Sequence, residues 1–217
     1  ATEATNFSKL FPGLDVSLCM LKAMFYVPFY REFLLASGCL SCGRNTCINT
    51  LKNGAPGRSI CLLVGGAREA MDARPKTNDF TVKNRKGFVR VALLSGARIV
   101  PTIGFGENDL LEQVNTGIVH RIQKTILETI GFFIPVFYGR GVFQYNFGLL
   151  PHRRKITVVF GEPIDCGDEF DKDSVNSQEF RNKVDEIHSI YLQRLQELYD
   201  TNKSKYELPG SKPMTFK

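Results

Sequence analysis

Glycines, a cation and a carboxylate follow one another in the stretch ICLLVGGAREAMDARP, residues 60–75. The apolar run ends at Gly65 and Gly66, and Arg68 and Glu69 come next. Glycine lacks a Cβ, so backbone N–H groups beside it can approach a ligand closely. A carboxylate and a guanidinium add groups for proton transfer and for anion binding. The combination indicates a candidate ligand site at the end of a strand.

A second group of charged residues stands further along the chain. Arg85 and Lys86 open a predicted helix, where the positive end of the helix dipole adds to their charge. Glu107 follows the next predicted strand. Ligands of open α/β sheets bind beyond the carboxyl ends of the strands, so we expect these cations and the carboxylates Glu69 and Glu107 at one rim. The alternative is that Arg68 and Glu69 form an ordinary solvated pair in a loop.

The elements that would position these residues form a strand–helix–strand unit. Residues 60–64 are apolar and bounded by glycine, which is typical of a strand buried on both faces. A long loop is expected over 67–83. Residues 84–95 predict a helix in which Phe88, Val91, Ala92 and Ser95 share one face, and Gly96 suits a left-handed cap. Residues 98–102 restart as a strand, which predicts a right-handed crossover.

Other segments complete the expected fold. Residues 14–37 are rich in Leu, Met and Phe and predict a helix kinked at Pro28, either in the core or against lipid. Residues 155–160 predict a third strand. Residues 178–203 carry an apolar stripe at helical spacing. The tail over 204–217 is polar and is expected to be loose.

The pattern as a whole predicts an α/β fold, a mostly parallel sheet with flanking helices, in a single domain over residues 1–203. The chain of 217 residues is 43% hydrophobic and 23% charged, which suits one sizeable core. Its net charge of +6 favours phosphate groups, anionic lipid surfaces or nucleic acid.

Several function classes are disfavoured by the sequence. GGAREA lacks the G-x-G-x-x-G spacing of a dinucleotide site, and no G-x-S-x-G elbow of a serine hydrolase is present. Nucleic-acid binding lacks its recognised motifs. No apolar run reaches the roughly 18 residues of a spanning helix.

Cysteine and histidine offer little further chemistry. Cys39, Cys42 and Cys47 begin with metal-like spacing, but a closed zinc site needs four ligands, so reduced thiols are preferred over zinc and no metal site is expected. Six cysteines in this length indicate a reducing compartment. The histidines are His120, His152 and His188. None has the strand-end position that catalysis in this sheet would require.

Long motifs of this chain resemble those of the type 2 diacylglycerol acyltransferase family, which includes the monoacylglycerol and wax-alcohol acyltransferases. The motifs are FPGL (11–14), VGGAREAMDARP (64–75), NRKGFVRVALLSGARIVPTIGFGEND (84–109) and GRGVFQYNFGLLPHRRKITVVFGEPI (139–164). EAMDARP and GRGVFQYNFGLLP look closest to the monoacylglycerol branch. The resemblance covers nearly the whole chain and implies a glycerophosphate-acyltransferase-like fold.

The resemblance implies transfer of an acyl group from acyl-CoA, a substrate rather than a cofactor, to the hydroxyl of a mono- or diacylglycerol in triacylglycerol synthesis. It also implies the cytosolic face of the endoplasmic reticulum membrane and the lipid droplet. The family has an N-terminal hydrophobic hairpin and a His-Pro-His-Gly motif that carries the catalytic histidine. These 217 residues contain no His-Pro-His-Gly, so that histidine is expected upstream of Ala1.

Residue roles follow from the same resemblance. Glu69 would orient the histidine, and Gly65 and Gly66 would let substrate approach the strand end. The residues expected to bind the phosphates of CoA are Arg68, Arg85 and Lys86. Those expected to hold the architecture of the site are Glu107 and Arg140. The apolar segments 14–37 and 130–143 would serve the acyl chains or the membrane face.

Alternatives stay open at this point. The acceptor can be a wax or sterol-like alcohol or a lysophospholipid. The chain can be a catalytically inactive splice form or fragment that binds lipid or acyl-CoA. The resemblance does not decide whether the protein forms a homo-oligomer.

Overall fold

A computed structural model describes residues 6–113, 117, 121, 125–126, 137–145, 148 and 150–217. Backbone contacts divide the chain into two compact units. The first unit comprises Ala1–Val64, Lys86–Ile99 and Ile164–Ser189. The second unit comprises Gly65–Arg85, Val100–Pro163 and Ile190–Lys217.

Helices and strands alternate along the described residues. The α-helices are α1 Phe7–Leu10, α2 Tyr30–Ala36, α3 Arg44–Asn53, α4 Gly66–Asp72, α5 Gly87–Ser95 and α6 Gln178–Tyr206. Short 3₁₀ turns cover Lys22–Tyr26, Glu107–Asp109 and Lys172–Asn176. The strands are β1 Asp15–Met20, β2 Leu40–Ser41, β3 Arg58–Cys61, β4 Asp79–Phe80, β5 Thr102–Phe105, β6 Glu112–Gln113, β7 Phe137–Tyr138, β8 Thr157–Phe160 and β9 Thr215–Phe216.

The first unit is built on a parallel three-stranded sheet of order β2-β1-β3. Val16 lies opposite Ser59 and Cys19 lies opposite Leu40 in this sheet. Helices α3 and α5 pack against each other. Helix α5 is a core helix, since Val89 and Leu93 are completely buried. The α/β prediction and the parallel sheet with flanking helices are confirmed for this unit.

The strand predicted over 60–64 is displaced and is not buried on both faces. Strand β3 covers Arg58–Cys61 and pairs with β1 at one edge of the sheet, and Cys61 is exposed. The side chain of Leu63 is 66% exposed. Strand β5 belongs to a different sheet from β3, so the predicted crossover between neighbouring strands is wrong.

Helix α5 ends as the sequence predicts. Gly96 adopts the left-handed conformation, with φ 63°, and its N–H donates to the carbonyl of Ala92. An L-residue with a Cβ would be strained there, so this glycine stops the helix after Ser95.

The prediction of one kinked helix over 14–37 is wrong. Residues Asp15–Met20 form the central strand β1, in which Ser17 and Cys19 are buried in strict alternation. The reason is non-local: β1 has hydrogen-bonded partners on both sides, and this pairing outweighs the helix propensity of its Leu and Met. Only Tyr30–Ala36, after Pro28, is α-helical.

Two buried thiols join the sheet of the first unit to its helices. The Sγ atoms of Cys19 and Cys47 lie 4.0 Å apart, and both side chains are buried. Cys47 of the candidate metal-like motif therefore serves the core, as a small apolar side chain does.

The second unit departs from the predicted parallel sheet. Strands β5 and β8 pair antiparallel, with Ile103 opposite Val159, and β6 pairs antiparallel with β7. Strand β5 begins later than the predicted 98–102, because the buried Pro101 has no N–H for a ladder. The strand expected over 155–160 is confirmed as Thr157–Phe160.

Helix α6 is confirmed and extends three residues past its predicted end. Its stripe is buried, including Phe180, Ile187 and Leu195, and Tyr199 stacks on Phe105 with ring centroids 6.1 Å apart. Among the helices of the described residues, none combines the length and the apolar character needed to cross a bilayer.

The segment after α6 is ordered rather than loose. Strand β9 pairs in parallel with β4, with Asp79 opposite Thr215 and Phe80 opposite Phe216. Met214 is buried. Polar composition favoured a loose tail, but the backbone finds partners in a distant part of the sequence.

Candidate active site

Glu69 lies in the first turn of helix α4, where the sequence predicts a loop. Ala, Glu and Met favour a helix there once Gly65 and Gly66 have turned the chain away from the apolar run. The backbone N–H of Thr81 donates a hydrogen bond of 2.7 Å to Oε2 of Glu69. The carboxylate is therefore held from outside its own helix.

Glycine is needed at positions 65 and 66, before Glu69, for different reasons. A Cβ at Gly65 would overlap the carboxyl group of Glu69 and lie 2.5 Å from its Cβ. Gly66 has φ 61°, and a Cβ there would meet no atom within 4 Å. Gly65 thus makes room for the carboxylate, while Gly66 supplies a left-handed turn into α4.

Glu107 lies at a similar glycine-rich turn. It opens the 3₁₀ turn Glu107–Asp109 after Gly106, whose φ is 85°. A Cβ at Gly104 would lie 3.0 Å from Oε2 of Glu107. A Cβ at Gly106 would overlap the carbonyl oxygen of Lys155. In both turns, a missing Cβ allows a carboxylate to fold back over the backbone.

Glu107 lies close enough to Glu69 for its charge to affect the pKa of Glu69. Burial raises the pKa of Glu69, and the negative charge of Glu107 raises it further. The hydrogen bond from Thr81 lowers the pKa and offsets part of this rise. Burial, with a contribution from the charge of Glu69, raises the pKa of Tyr191 to about 12. The structure thus brings two carboxylates and a buried phenol together in the second unit.

Glu107 also faces a small polar cavity of about 20 Å³. Its lining residues come from 76–78, 104–109, Glu207, Leu208 and Ser211. The Asn108 side chain donates to the carbonyl of Thr77 at 2.8 Å and closes one wall. A cavity of this size admits water but not an acyl chain.

The predicted phosphate-binding cations differ in their surroundings. Arg68 and Arg85 are exposed. Lys86 precedes helix α5, and its Nζ lies 2.7 Å from Oδ1 of Asp185, an ion pair that lowers the pKa of Asp185. The exposed guanidiniums are therefore more accessible to an anion than the paired ammonium.

Arg140 is bound to its own hairpin. Its Nε donates to the carbonyl of Pro151 at 3.1 Å, and its backbone pairs with Leu150. A Cβ at Gly139 would overlap the carbonyl of Leu150, and one at Gly148 would overlap the carbonyl of Arg140. The GRG motif thus permits a close approach of two backbones, with Arg140 as a tie across them.

The histidines have structural surroundings where they are described. His188 is buried, with its ring 6.1 Å from that of Phe88. The N–H of His152 donates to the carbonyl of Leu110, and its ring lies 5.6 Å from that of Tyr145. His120 lies outside the described residues, as do residues 130–136 of the predicted apolar segment.

Two groups near Glu69 have no signal in the sequence. Thr81 acts through its backbone N–H, for which side-chain type gives no signal. Tyr191 belongs to the apolar stripe of α6, and its position near Glu69 depends on tertiary packing. Within the part of the chain that the structure describes, no group of three or more His, Cys, Asp or Glu side chains could hold a metal ion.

Comparison with known proteins decides the family. The family description "Diacylglycerol acyltransferase" matches residues 1–217. The chain belongs to this family. Its relatives include diacylglycerol O-acyltransferase 2A of Umbelopsis ramanniana, 42% identical over 220 residues that cover 100% of this chain and 60% of the relative. No solved structure matches this member of the diacylglycerol acyltransferase family.

Two further relatives carry different acceptor names. Diacylglycerol O-acyltransferase 2 of Dictyostelium discoideum is 44% identical over 211 residues, covering 94% of this chain and 60% of the relative. The mouse protein 2-acylglycerol O-acyltransferase 1 is 35% identical over 219 residues, covering 100% of this chain and 63% of the relative. The chain spans about 60% of the length of the curated relatives it matches.

Proposed function

We propose that this chain is the catalytic portion of an O-acyltransferase that moves a fatty acyl group from acyl-CoA to the hydroxyl of a mono- or diacylglycerol, the last acylations of triacylglycerol synthesis. The observation that carries the proposal is the Glu69 carboxylate. It is half-buried, folded over Gly65 and fixed by the Thr81 N–H, in a chain of the diacylglycerol acyltransferase family.

The reaction needs few groups. A base takes the proton of the acceptor hydroxyl as its oxygen attacks the thioester carbon; the C–O bond forms, the C–S bond breaks, and the CoA thiolate leaves with a proton. The family resemblance implies that the base is the histidine of a His-Pro-His-Gly motif, which these 217 residues do not contain. Glu69 would accept a hydrogen bond from that imidazole and stabilise its cationic form.

The surroundings of Glu69 suit this role. A carboxylate partly removed from water interacts more strongly with a nearby imidazolium than a solvated one does. Glu107 adds negative charge, which further favours a cation at this place. Gly65 and Gly66 keep the approach to the carboxylate free of side-chain atoms, so substrate can come close to Glu69.

Acyl-CoA brings phosphates, for which this chain offers exposed cations. Arg68 and Arg85 are the candidates with accessible guanidiniums, which bind phosphate through two parallel hydrogen bonds. Lys86 shares its charge with Asp185 and would contribute less.

The lipid substrates point to a membrane surface, and we propose the cytosolic face of the endoplasmic reticulum membrane and the lipid droplet as its place of work. The support is an aromatic surface in the first unit. The exposed fractions of the side chains are 71% for Tyr26, 89% for Phe29 and 63% for Phe33. Such exposure in water is unfavourable, whereas bilayers accept aromatic rings at their interface. We also propose that the whole protein has a glycerophosphate-acyltransferase-like fold.

The printed names of the relatives favour two acceptors, and the assay must separate them. The full-length protein is given radiolabelled acyl-CoA with monoacylglycerol, diacylglycerol or a long-chain alcohol. We expect transfer to at least one acylglycerol, reduced about 10²-fold by Glu69→Gln. If labelled wax ester were the only product, the acceptor would be a long-chain alcohol instead of an acylglycerol. Tight acyl-CoA binding without transfer to any acceptor would establish the non-catalytic binding module instead.

A further inference from the structure

We propose that residues 212–217, termed the strap, are a positioning element for Glu69, acting through the peptide group that joins Phe80 to Thr81. This inference rests on the proposed function, in which Glu69 is the carboxylate of the reaction. It assigns a role to a segment whose sequence gives no catalytic motif.

One peptide group connects the strap with the carboxylate. The N–H of Lys217 donates to the carbonyl of Phe80 at 2.8 Å. The N–H of the same peptide plane, contributed by Thr81, donates to Oε2 of Glu69 at 2.7 Å. Because a peptide group is planar, fixing its carbonyl also fixes the direction of its N–H. A hydrogen bond accepted at the carbonyl also polarises the group and strengthens the N–H as a donor.

The strap is hydrogen-bonded to residues 76–83 along its length. The N–H of Thr215 donates to the carbonyl of Asn78 at 3.0 Å, and the N–H of Lys83 donates to the carbonyl of Lys217 at 3.0 Å. Upstream, the N–H of Lys212 donates to the carbonyl of Lys76 at 2.9 Å. The backbone on both sides of Thr81 is therefore tied to the strap.

Side chains reinforce the backbone ladder at one residue. Asp79 accepts a hydrogen bond from the Thr215 hydroxyl at one carboxyl oxygen, and Lys217 Nζ lies 2.9 Å from the other. These two partners lower the pKa of Asp79, so it stays ionised through the physiological range. This ion pair is exposed and contributes little to stability. The backbone hydrogen bonds therefore hold the strap more strongly than these side chains do.

The strap should affect the pH dependence of the reaction through the pKa of Glu69. Among the described residues, the groups that act on or respond to Glu69 include the Thr81 N–H, Glu107 from the 3₁₀ turn and Tyr191 from α6. Of these, the Thr81 N–H lowers the pKa of Glu69 and Glu107 raises it. A loosened strap weakens the Thr81 donor, so the pKa of Glu69 rises and the carboxylate is lost at a higher pH.

The test compares Lys217→Pro with Lys217→Ala in the full-length protein. Both remove the ion pair with Asp79, but only proline removes the N–H that holds Phe80. Phe216 is in an extended strand, the conformation that a residue before proline prefers, so the exchange is tolerated locally. We expect kcat at neutral pH to fall about fivefold in Lys217→Pro and to stay within about twofold in Lys217→Ala. The break in the acid limb of the kcat profile that follows protonation of Glu69, rather than of the histidine base, should move to higher pH in the proline variant alone.

A second measurement does not depend on turnover. Hydrogen exchange at residues 78–83 should accelerate strongly in Lys217→Pro and more weakly in Thr215→Val combined with Lys217→Ala, and should not accelerate in Lys172→Ala, which removes an equal charge far along the sequence. Unchanged exchange in Lys217→Pro, or protonation of Glu69 at the same pH in Lys217→Pro and Lys217→Ala, would overturn the proposal. If Glu69→Gln itself retains normal turnover, the proposed function fails; if Glu69→Gln is impaired and Lys217→Pro is not, only the strap fails.

Discussion

The carboxyl group of Glu69 folds back over the backbone of Gly65 and occupies the space that a Cβ at position 65 would need. The Gly65 backbone itself has φ −66°, which any residue adopts. The glycine is therefore required by its neighbour's side chain and not by its own conformation. Gly66 shows the opposite case, with a left-handed backbone and open space around it.

This difference predicts contrasting effects of alanine at the two glycines. Gly65→Ala should displace the Glu69 carboxylate and lower kcat about tenfold or more, because small misplacements of a catalytic group are costly. Gly66→Ala should cost about 1 kcal/mol of stability through its positive φ and lower kcat less than Gly65→Ala does, because a Cβ at position 66 meets no atom of the carboxylate. Turnover assays and thermal melts of both variants measure the contrast. Equal losses of kcat in the two would contradict it.

Glu69→Gln should lower kcat about 10²-fold without lowering stability at neutral pH. Burial raises the pKa of Glu69 above its ordinary 4.5, so the stability gained from its protonated form is complete below pH 4.5 and lost as pH rises through the folded-state pKa. A neutral amide avoids this loss and still accepts from the Thr81 N–H. The melting temperature of the variant, relative to that of the natural protein, should therefore rise as the pH is raised above 4.5.

The matched control is Glu179→Gln, which neutralises an exposed glutamate in the first turn of α6. It should leave kcat unchanged. A melting temperature for Glu69→Gln well below that of the natural protein at neutral pH would assign Glu69 to the fold rather than to the reaction.

Glu107→Gln tests the second carboxylate through the pH profile. Because the charge of Glu107 raises the pKa of Glu69, its removal lowers that pKa and extends the active, ionised form to lower pH. The break in the acid limb of the kcat profile that follows protonation of Glu69, rather than of the histidine base, should shift to lower pH, opposite in direction to the shift expected for a loosened strap. An unchanged limb would mean that Glu107 acts only in the architecture of its turn.

The sequence carries enough information for the elements with local signals. Helix α5 and its Gly96 cap, helix α6 and the strand at Thr157–Phe160 follow from periodicity and capping alone. Strand β1 does not, because its Leu and Met are helix formers that become a strand only between two partners. Glycine pairing and charge pointed to Glu69 and Glu107, and in the structure the charge of Glu107 acts on Glu69.

The remaining parts of the site have no local signal. The donor to Glu69 is a backbone N–H, identical in every residue type but proline. Its placement depends on strand β9, two residues that pair with β4 across more than half of the chain. Such short ladders gain their stability from tertiary contacts, so polar composition alone indicates a loose tail.

Arg85→Ala should raise the KM for acyl-CoA about tenfold with little change in kcat, since a charge-assisted contact to a CoA phosphate persists from ground state to transition state. Arg85 is exposed, so this effect should weaken at high salt, where phosphate contacts are screened. Arg181→Ala, which removes an exposed guanidinium from α6, controls for net charge. Lys86→Ala should have a smaller effect on KM, because the ammonium is already paired with Asp185. A KM for Arg85→Ala equal to that of Arg181→Ala would remove Arg85 from the substrate site, whereas a larger effect of Lys86→Ala would mean that acyl-CoA displaces Asp185 to reach the ammonium.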